Sequence, residues 1–378
     1  MKVPLLDLRA QFLTIEPDLR AAIERVLVSQ QFILGEEVAA FEKEISAALG
    51  GVEAIGVASG TDALSLALTA LGVGEGDEVI TTSYSFFATA GVIHRCGARP
   101  VFVDIDPATF NLLPGRVARA ITPRTRAILP VHLFGLMAEV EPLLDLSARK
   151  GIPIIEDAAQ ALGATARVGG RSVQSGTLGT FGCFSFFPSK NLGGAGDGGL
   201  VVTRDAALAA RVRSLRQHGE EKTYVHTRVG LNSRLDALQA AVLRAKLPHL
   251  EGWNLRREAN AAGYRRLFDA AGLTGPDGPV QLPEAPPGFR HTYHQFVVRA
   301  RDRDLLLSRL HEEGIGCAVY YPVPLHLQPC FAAHRYRPGD FPVAETASAS
   351  TLALPIYPEL SDEMQRQVVS ALESFYSS

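Results

Sequence analysis

The sequence predicts an α/β fold, with a large domain on a mainly parallel, seven-stranded sheet followed by a smaller α+β domain. Three observations predict it. β-Branched runs of four or five residues recur between residues 55 and 155, the segments between them can form helices, and a proline- and glycine-rich stretch near residue 280 separates this alternation from a mixed C-terminal region. Strands alternating with helices are the sequence form of βαβ units, whose strands pair in parallel.

Taken in order, residues 16–50 show helical periodicity with a break at Phe32-Ile33-Leu34-Gly35, which predicts two covering helices. Strands are expected at 55–58, 78–82, 100–103, 127–131 and 152–155, and two more at 182–187 and 199–203. From Asp205 to about Ala271 the chain reads as helical, ending in a long amphipathic piece over 253–268. Residues 275–288 read as a connector. Strands near 293–299 and 316–321 and a helix over 362–376 complete the smaller domain, so residues 1–250 are expected to form the large domain and 251–378 the connecting helix and the small one.

Composition narrows the function. The chain has 378 residues, a formal net charge of -3 and 47% hydrophobic residues. It carries no block of like charges, which speaks against nucleic acid or a membrane surface as partner. No apolar signal core follows a basic N-terminus and no run of 18 apolar residues occurs, so a cytoplasmic location is the expectation. Cys96, Cys183, Cys317 and Cys330 are scattered without a C-x-x-C pair, so neither a metal site nor a disulfide framework is expected.

The chemistry centres on Lys190. It is one of six lysines, and it alone sits between an aromatic strand-like run, Phe184 to Phe187, and a glycine-rich turn. An amine held away from water loses its proton more readily, and a neutral amine forms a Schiff base with an aldehyde such as pyridoxal phosphate. Ser59-Gly60-Thr61 follows the first strand and opens a helix, a corner that suits a phosphate group or a simple capped turn. Asp157, at the carboxyl end of a parallel strand, is placed either to meet a cofactor or to cap a helix. Gly194 to Gly199 matches G-x-G-x-x-G, but a strand-like run follows it where a dinucleotide site needs a helix.

The segments EDAAQALGA, FSFFPSKNLG, GDGG, GLNSRLDALQAA and YYPVPLHLQP, in this order, resemble the sugar aminotransferases related to DegT, DnrJ, EryC1 and StrS, over nearly the full chain. The resemblance implies an aspartate-aminotransferase-like (fold type I) large domain that binds pyridoxal 5'-phosphate and cycles it through pyridoxamine 5'-phosphate. It implies that Lys190 anchors the cofactor and moves the proton, Asp157 holds the pyridine nitrogen, Gln160 lies near the phenolic oxygen and Phe86 stacks on the ring. Gly60, Thr61 and Ser185 would hold the phosphate. Asn232 would reach the phosphate in the neighbouring subunit's site, making a homodimer with shared active sites; read alone, it is equally a helix N-cap. Arg234, Tyr321 and His326 are candidates for substrate contact. The implied reaction moves an amino group from L-glutamate to a nucleotide-linked keto sugar, with the Lys-Asn-Leu-Gly and GDGG forms favouring a 3-keto sugar. A sugar dehydratase of the same fold, which carries histidine at the lysine position, and a non-catalytic regulatory homologue are the alternatives.

Overall fold

The computed structural model describes residues 2–377. The chain begins with two helices, α1 (Leu8–Ser29) and α2 (Gly35–Ala48). The first starts eight residues before the predicted periodicity. Asp7 caps it by accepting from the Ala10 N–H at 2.9 Å, and the helix bends at Ile15, just before Pro17. It closes at Gln30 in the left-handed conformation, φ 57°.

The alternating region gives β1 (Glu53–Val57), α3 (Gly60–Ala70), β2 (Glu78–Thr82), α4 (Ala88–Arg95), β3 (Arg99–Val103), α5 (Pro114–Ala120), β4 (Thr125–Leu129), α6 (Val140–Lys150) and β5 (Ile155–Asp157). After it come β6 (Thr165–Val168), β7 (Arg171–Gln174), β8 (Phe181–Ser185) and β9 (Gly199–Thr203). Two ladders, β1-β9-β8-β5 and β3-β2-β4, meet where Ile128 bridges Ile154 and Val131 bridges Asp157, both in parallel. The result is a seven-stranded sheet in which only β9 runs against its neighbours. Both faces of the sheet are covered, and β2 and β9 are buried at every position.

Beyond β9 the predicted continuous helix is interrupted. The chain forms α7 (Ala206–Leu215), then a hairpin of β10 (Glu220–Lys222) and β11 (Val225–His226), and only then α8 (Ala237–Lys246) and α9 (Leu250–Ala270). Gly219 explains the break. It has φ +76°, and a Cβ there would lie 2.0 Å from the Arg228 carbonyl oxygen. The hairpin projects Tyr224 and Val229, 89% and 94% exposed, from the body of the subunit.

The C-terminal region contains β12 (Val280–Gln281), β13 (Phe289–Arg290), β14 (Phe296–Ala300), α10 (Arg303–Glu312), α11 (Pro342–Ser350), β15 (Thr351–Leu354) and α12 (Asp362–Ser377). Its sheet has the order β12-β14-β15 and its own apolar core, centred on Tyr264, Phe268, Phe296 and Leu372. Val3 joins this core and bridges Ile315. The strand expected at 316–321 is instead an extended segment with one bridge, Ala318 to Ala353. The β6-β7 hairpin, turning at Gly169-Gly170, and β15 were not anticipated from the sequence.

A buried carboxylate–histidine hydrogen bond ties β5 to its surroundings. Glu156 and His132 are fully covered, and His132 Nε2 donates to Glu156 Oε2 at 2.8 Å. The Ala138 N–H, 3.1 Å from His132 Nδ1, fixes this tautomer. Glu156 also accepts from the N–H groups of Gly176, Leu178 and Gly179 at 2.9, 2.8 and 2.6 Å. Burial pushes its carboxyl up, but the His132 bond and the Gly179 and Leu178 N–H groups outweigh that and hold it below its ordinary value. Glu156→Gln, nearly isosteric, turns an amide NH₂ onto these donors. It is expected to lower unfolding stability by about 3–5 kcal/mol, read as a shifted urea midpoint; a loss under about 1 kcal/mol would contradict this account of the pair.

Candidate active site

Lys190 follows β8 in a turn closed by its own N–H to the Phe187 carbonyl at 2.8 Å. The turn is gripped on two sides. Asn191, 5% exposed, donates through Nδ2 to Asn254 Oδ1 on α9 at 2.7 Å and to the Thr292 carbonyl at 3.3 Å, and its Oδ1 lies 3.1 Å from His294 Nδ1. Lys246 on α8 donates to the Gly193 carbonyl at 2.7 Å. The lysine therefore sits on a turn bonded to α8, α9 and the segment before β14. The residue is half-buried, with the body of the protein around its amine. Burial pushes the amine down to about 8, against the pull of the Asp157 charge. Burial, together with the charges of Lys190 and Arg257, holds His294 far below its ordinary value, so it stays neutral.

Asp157 ends β5 and is 5% exposed. Oδ2 accepts from Thr89 Oγ1 at 2.8 Å and Oδ1 accepts from the Ala159 N–H at 3.2 Å. Burial raises its carboxyl, partly offset by Thr89, Ala159, Lys190 and His132. Gln160 is held at both ends: Oε1 accepts from the Phe134 N–H at 2.7 Å and Nε2 donates to the Tyr321 hydroxyl at 2.9 Å. Tyr321 packs edge-on against Tyr84 and lies 6.2 Å from the Phe86 ring, which is 57% exposed.

At the start of α3, Ser59 caps the helix by accepting from the Asp62 N–H at 3.1 Å. Gly60 meets Ser185 at the end of β8, where an added Cβ would lie 2.7 Å from the Ser185 Cβ. Only glycine lets the helix start approach β8 so closely, which puts Gly60, Thr61 and Ser185 at the carboxyl end of the sheet with a helix N-terminus beside them. A phosphate fits that corner, a pyridine nitrogen fits Asp157, and an aldehyde fits an enclosed amine with lowered proton affinity. The donor set thus matches pyridoxal phosphate.

Two expected residues stand apart from this centre within one subunit. Asn232 is exposed, and Arg234 borders a surface hollow of about 550 Å³ beside the β10-β11 hairpin, with Gln217, His218, Tyr224 and Arg228. The N-cap alternative for Asn232 is corrected, because α8 begins at Ala237 behind Asp236. His326 is also corrected. Its side chain is fully covered, packed on Phe341 and 3.1 Å from Glu345 Oε1, so it belongs to the interior and not to a substrate surface. Sequence reasoning missed Thr89, Ser85, Asn254, Thr292 and His294; only Ser85 and Thr89, four apart at the start of α4, carried a local signal.

The seven-stranded sheet, the gripped lysine and the aspartate behind it define a fold-type-I aminotransferase architecture. The chain belongs to the DegT/DnrJ/EryC1/StrS aminotransferase family, whose profile matches residues 14–373. It is 47% identical to a pleiotropic regulatory protein of Geobacillus stearothermophilus, over 100% of this chain and 99% of the relative. It is 45% identical to the UDP-N-acetyl-3-dehydro-alpha-D-glucosamine 3-aminotransferase of Acidithiobacillus ferrooxidans, over 98% and 97%. Among solved structures, S. venezuelae DesV superposes with a TM-score of 0.94 at 44% identity, covering 100% of this chain and 99% of that one.

In the cofactor-free protein, the rate of Lys190 acylation against pH is expected to show a midpoint near 8. Asp157→Asn removes the charge that raises the amine and is expected to move the midpoint lower, as read by peptide mass spectrometry. A midpoint at the ordinary lysine value would contradict the enclosure of the amine.

Proposed function

We propose that this protein is a pyridoxal phosphate-dependent aminotransferase that moves an amino group from L-glutamate to a nucleotide-linked keto sugar, most consistent with a ketone at the sugar's 3-position. The observation that carries the reading is the half-buried Lys190, on a turn gripped by Asn191 and Lys246, with burial pushing its amine down to about 8 against the charge of Asp157. The family supports the reaction class, and the Acidithiobacillus relative, a 3-aminotransferase of a 3-dehydro sugar nucleotide, supports the 3-position.

When bound, pyridoxal phosphate supplies the electron sink for the carbon that loses its proton. The residues divide the remaining work. Gly60, Thr61 and Ser185 bind the phosphate at the start of α3, and the partial positive charge of the helix end assists them. Asp157 accepts from the ring nitrogen and keeps it protonated. Gln160, locked between Phe134 and Tyr321, presents its amide near the phenolic oxygen, and Phe86 covers one ring face. Lys190 Nζ exists in both protonation states near neutral pH, so it holds and returns a proton without a second group. Tyr321 orients the sugar.

The lone subunit leaves the phosphate corner without Asn232. We place Asn232 and Arg234, carried on the segment after the exposed hairpin, in the site of a second copy, where the arginine fork suits a diphosphate. The protein then acts as a homodimer.

The regulatory reading draws on the Geobacillus relative. It does not require an enclosed lysine, whereas transfer does. With L-glutamate and a UDP-linked 3-keto sugar, wild type is expected to release 2-oxoglutarate and an amino sugar, and Lys190→Ala to lose at least about 10³-fold in rate. Equal rates, or no transfer by wild type across a panel of 3- and 4-keto sugar nucleotides, would overturn the reading. Mixing Lys190→Ala with Asn232→Ala, each inactive alone, is expected to restore about a quarter of wild-type activity, since half the dimers carry one intact site. No restoration would contradict the shared site.

A further inference from the structure

Thr89 lies in the first turn of α4 and is 1% exposed, Ser85 lies four residues before it and is 3% exposed, and Asp157 ends β5. Their side chains form one chain of hydrogen bonds: Ser85 Oγ to Thr89 Oγ1 at 3.0 Å, then Thr89 Oγ1 to Asp157 Oδ2 at 2.8 Å. The direction follows from donor counting. A carboxylate only accepts, so Thr89 must give its single hydroxyl proton to Asp157. Its oxygen is then free to accept, and Ser85 must donate to it. Both hydroxyls thus point their positive ends along the chain toward the aspartate.

We infer that Ser85 and Thr89 are positioning residues that hold Asp157 ionised and correctly turned before any cofactor arrives. The inference rests on the role proposed above for Asp157, and deepens it. A buried carboxylate needs donors in place of lost water. Asp157 has two: the Ala159 N–H on Oδ1 and Thr89 on Oδ2. Lys190 acts on it through charge and His132 lies near it, Glu156 is its chain neighbour, and burial, with its charge, pushes up the Tyr321 phenol and the Cys183 thiol. Of the groups that face it, Thr89 is the side chain bonded directly to it. Charge-assisted bonds of this kind are the stronger class. A valine has the shape of threonine and no proton to give, so Thr89→Val leaves the packing and removes the donor.

The consequence is a pH signature. The Asp157 carboxyl is already raised in the fold, so its ionised form costs stability above the folded pKa, and this cost vanishes where the group is protonated in both folded and unfolded states. Losing the Thr89 bond raises the carboxyl further. The melting temperature of cofactor-free Thr89→Val is therefore expected to fall below wild type by a gap that is smallest near the ordinary carboxylate value of 3.8 and widens as pH rises through the raised Asp157 range to neutral pH, with Thr89→Ser tracking wild type throughout. Ser85→Ala is expected to show the same trend at smaller size, and it keeps the test informative if Thr89→Val does not fold. With pyridoxal phosphate bound, the pyridinium offsets the charge and the gap is expected to shrink.

A gap of constant size from the ordinary carboxylate value of 3.8 up to neutral pH would mean that Thr89 only fills space, and would overturn the inference. The cofactor-free scan does not depend on the proposed activity. A widening gap in a protein that binds no pyridoxal phosphate would uphold the hydroxyl chain while removing the aminotransferase reading.

Discussion

Two neighbouring carboxylates on β5 organise the centre of this protein, and the two-residue period of a strand sends them to opposite sides. Glu156 faces the interior, where His132 and three backbone N–H groups enclose it. Removing one partner from such a cluster strands a buried charge, so the cluster is rigid once formed. Asp157 faces the carboxyl end of the sheet, and its backbone N–H and carbonyl pair with Pro130 and residue His132 at 2.9 Å each. The rigidity of the first carboxylate is transmitted to the second through one shared piece of backbone. A group that must meet a ring nitrogen from a fixed direction needs this kind of support.

The lysine depends on the same logic from the other side. An ammonium in a half-buried site costs folding free energy, and that cost is relieved as pH rises from about 8 to the ordinary lysine value of 10.5. The fold tolerates this because the turn is held by neighbouring residues: Asn191 reaches Asn254 and Thr292, and Lys246 reaches Gly193. Local instability is thereby stored at the group that performs the chemistry, and the bonds that offset it lie one to three residues away.

Much of this was legible in the sequence for physical reasons. β2 and β9 were read at their observed ends because β-branched residues mark them, and α12 to within one residue because its amphipathic period is uninterrupted. Lys190 stood out because lysine is rare here and its surroundings are aromatic and glycine-rich. What failed was set by distant partners. The hairpin between α7 and α8 depends on the Gly219 approach to Arg228, the 316–321 segment extends without becoming a strand, and His326 turns inward to Glu345. The clamp on Asn191 joins positions more than sixty residues apart, and no local pattern marks it.

The most direct test is to add pyridoxal phosphate to the protein, reduce with borohydride and map the covalent adduct by peptide mass spectrometry. The account predicts one dominant adduct, on the peptide that carries Lys190. Label spread over surface lysines such as Lys43 and Lys150, with Lys190 unmodified, would contradict it.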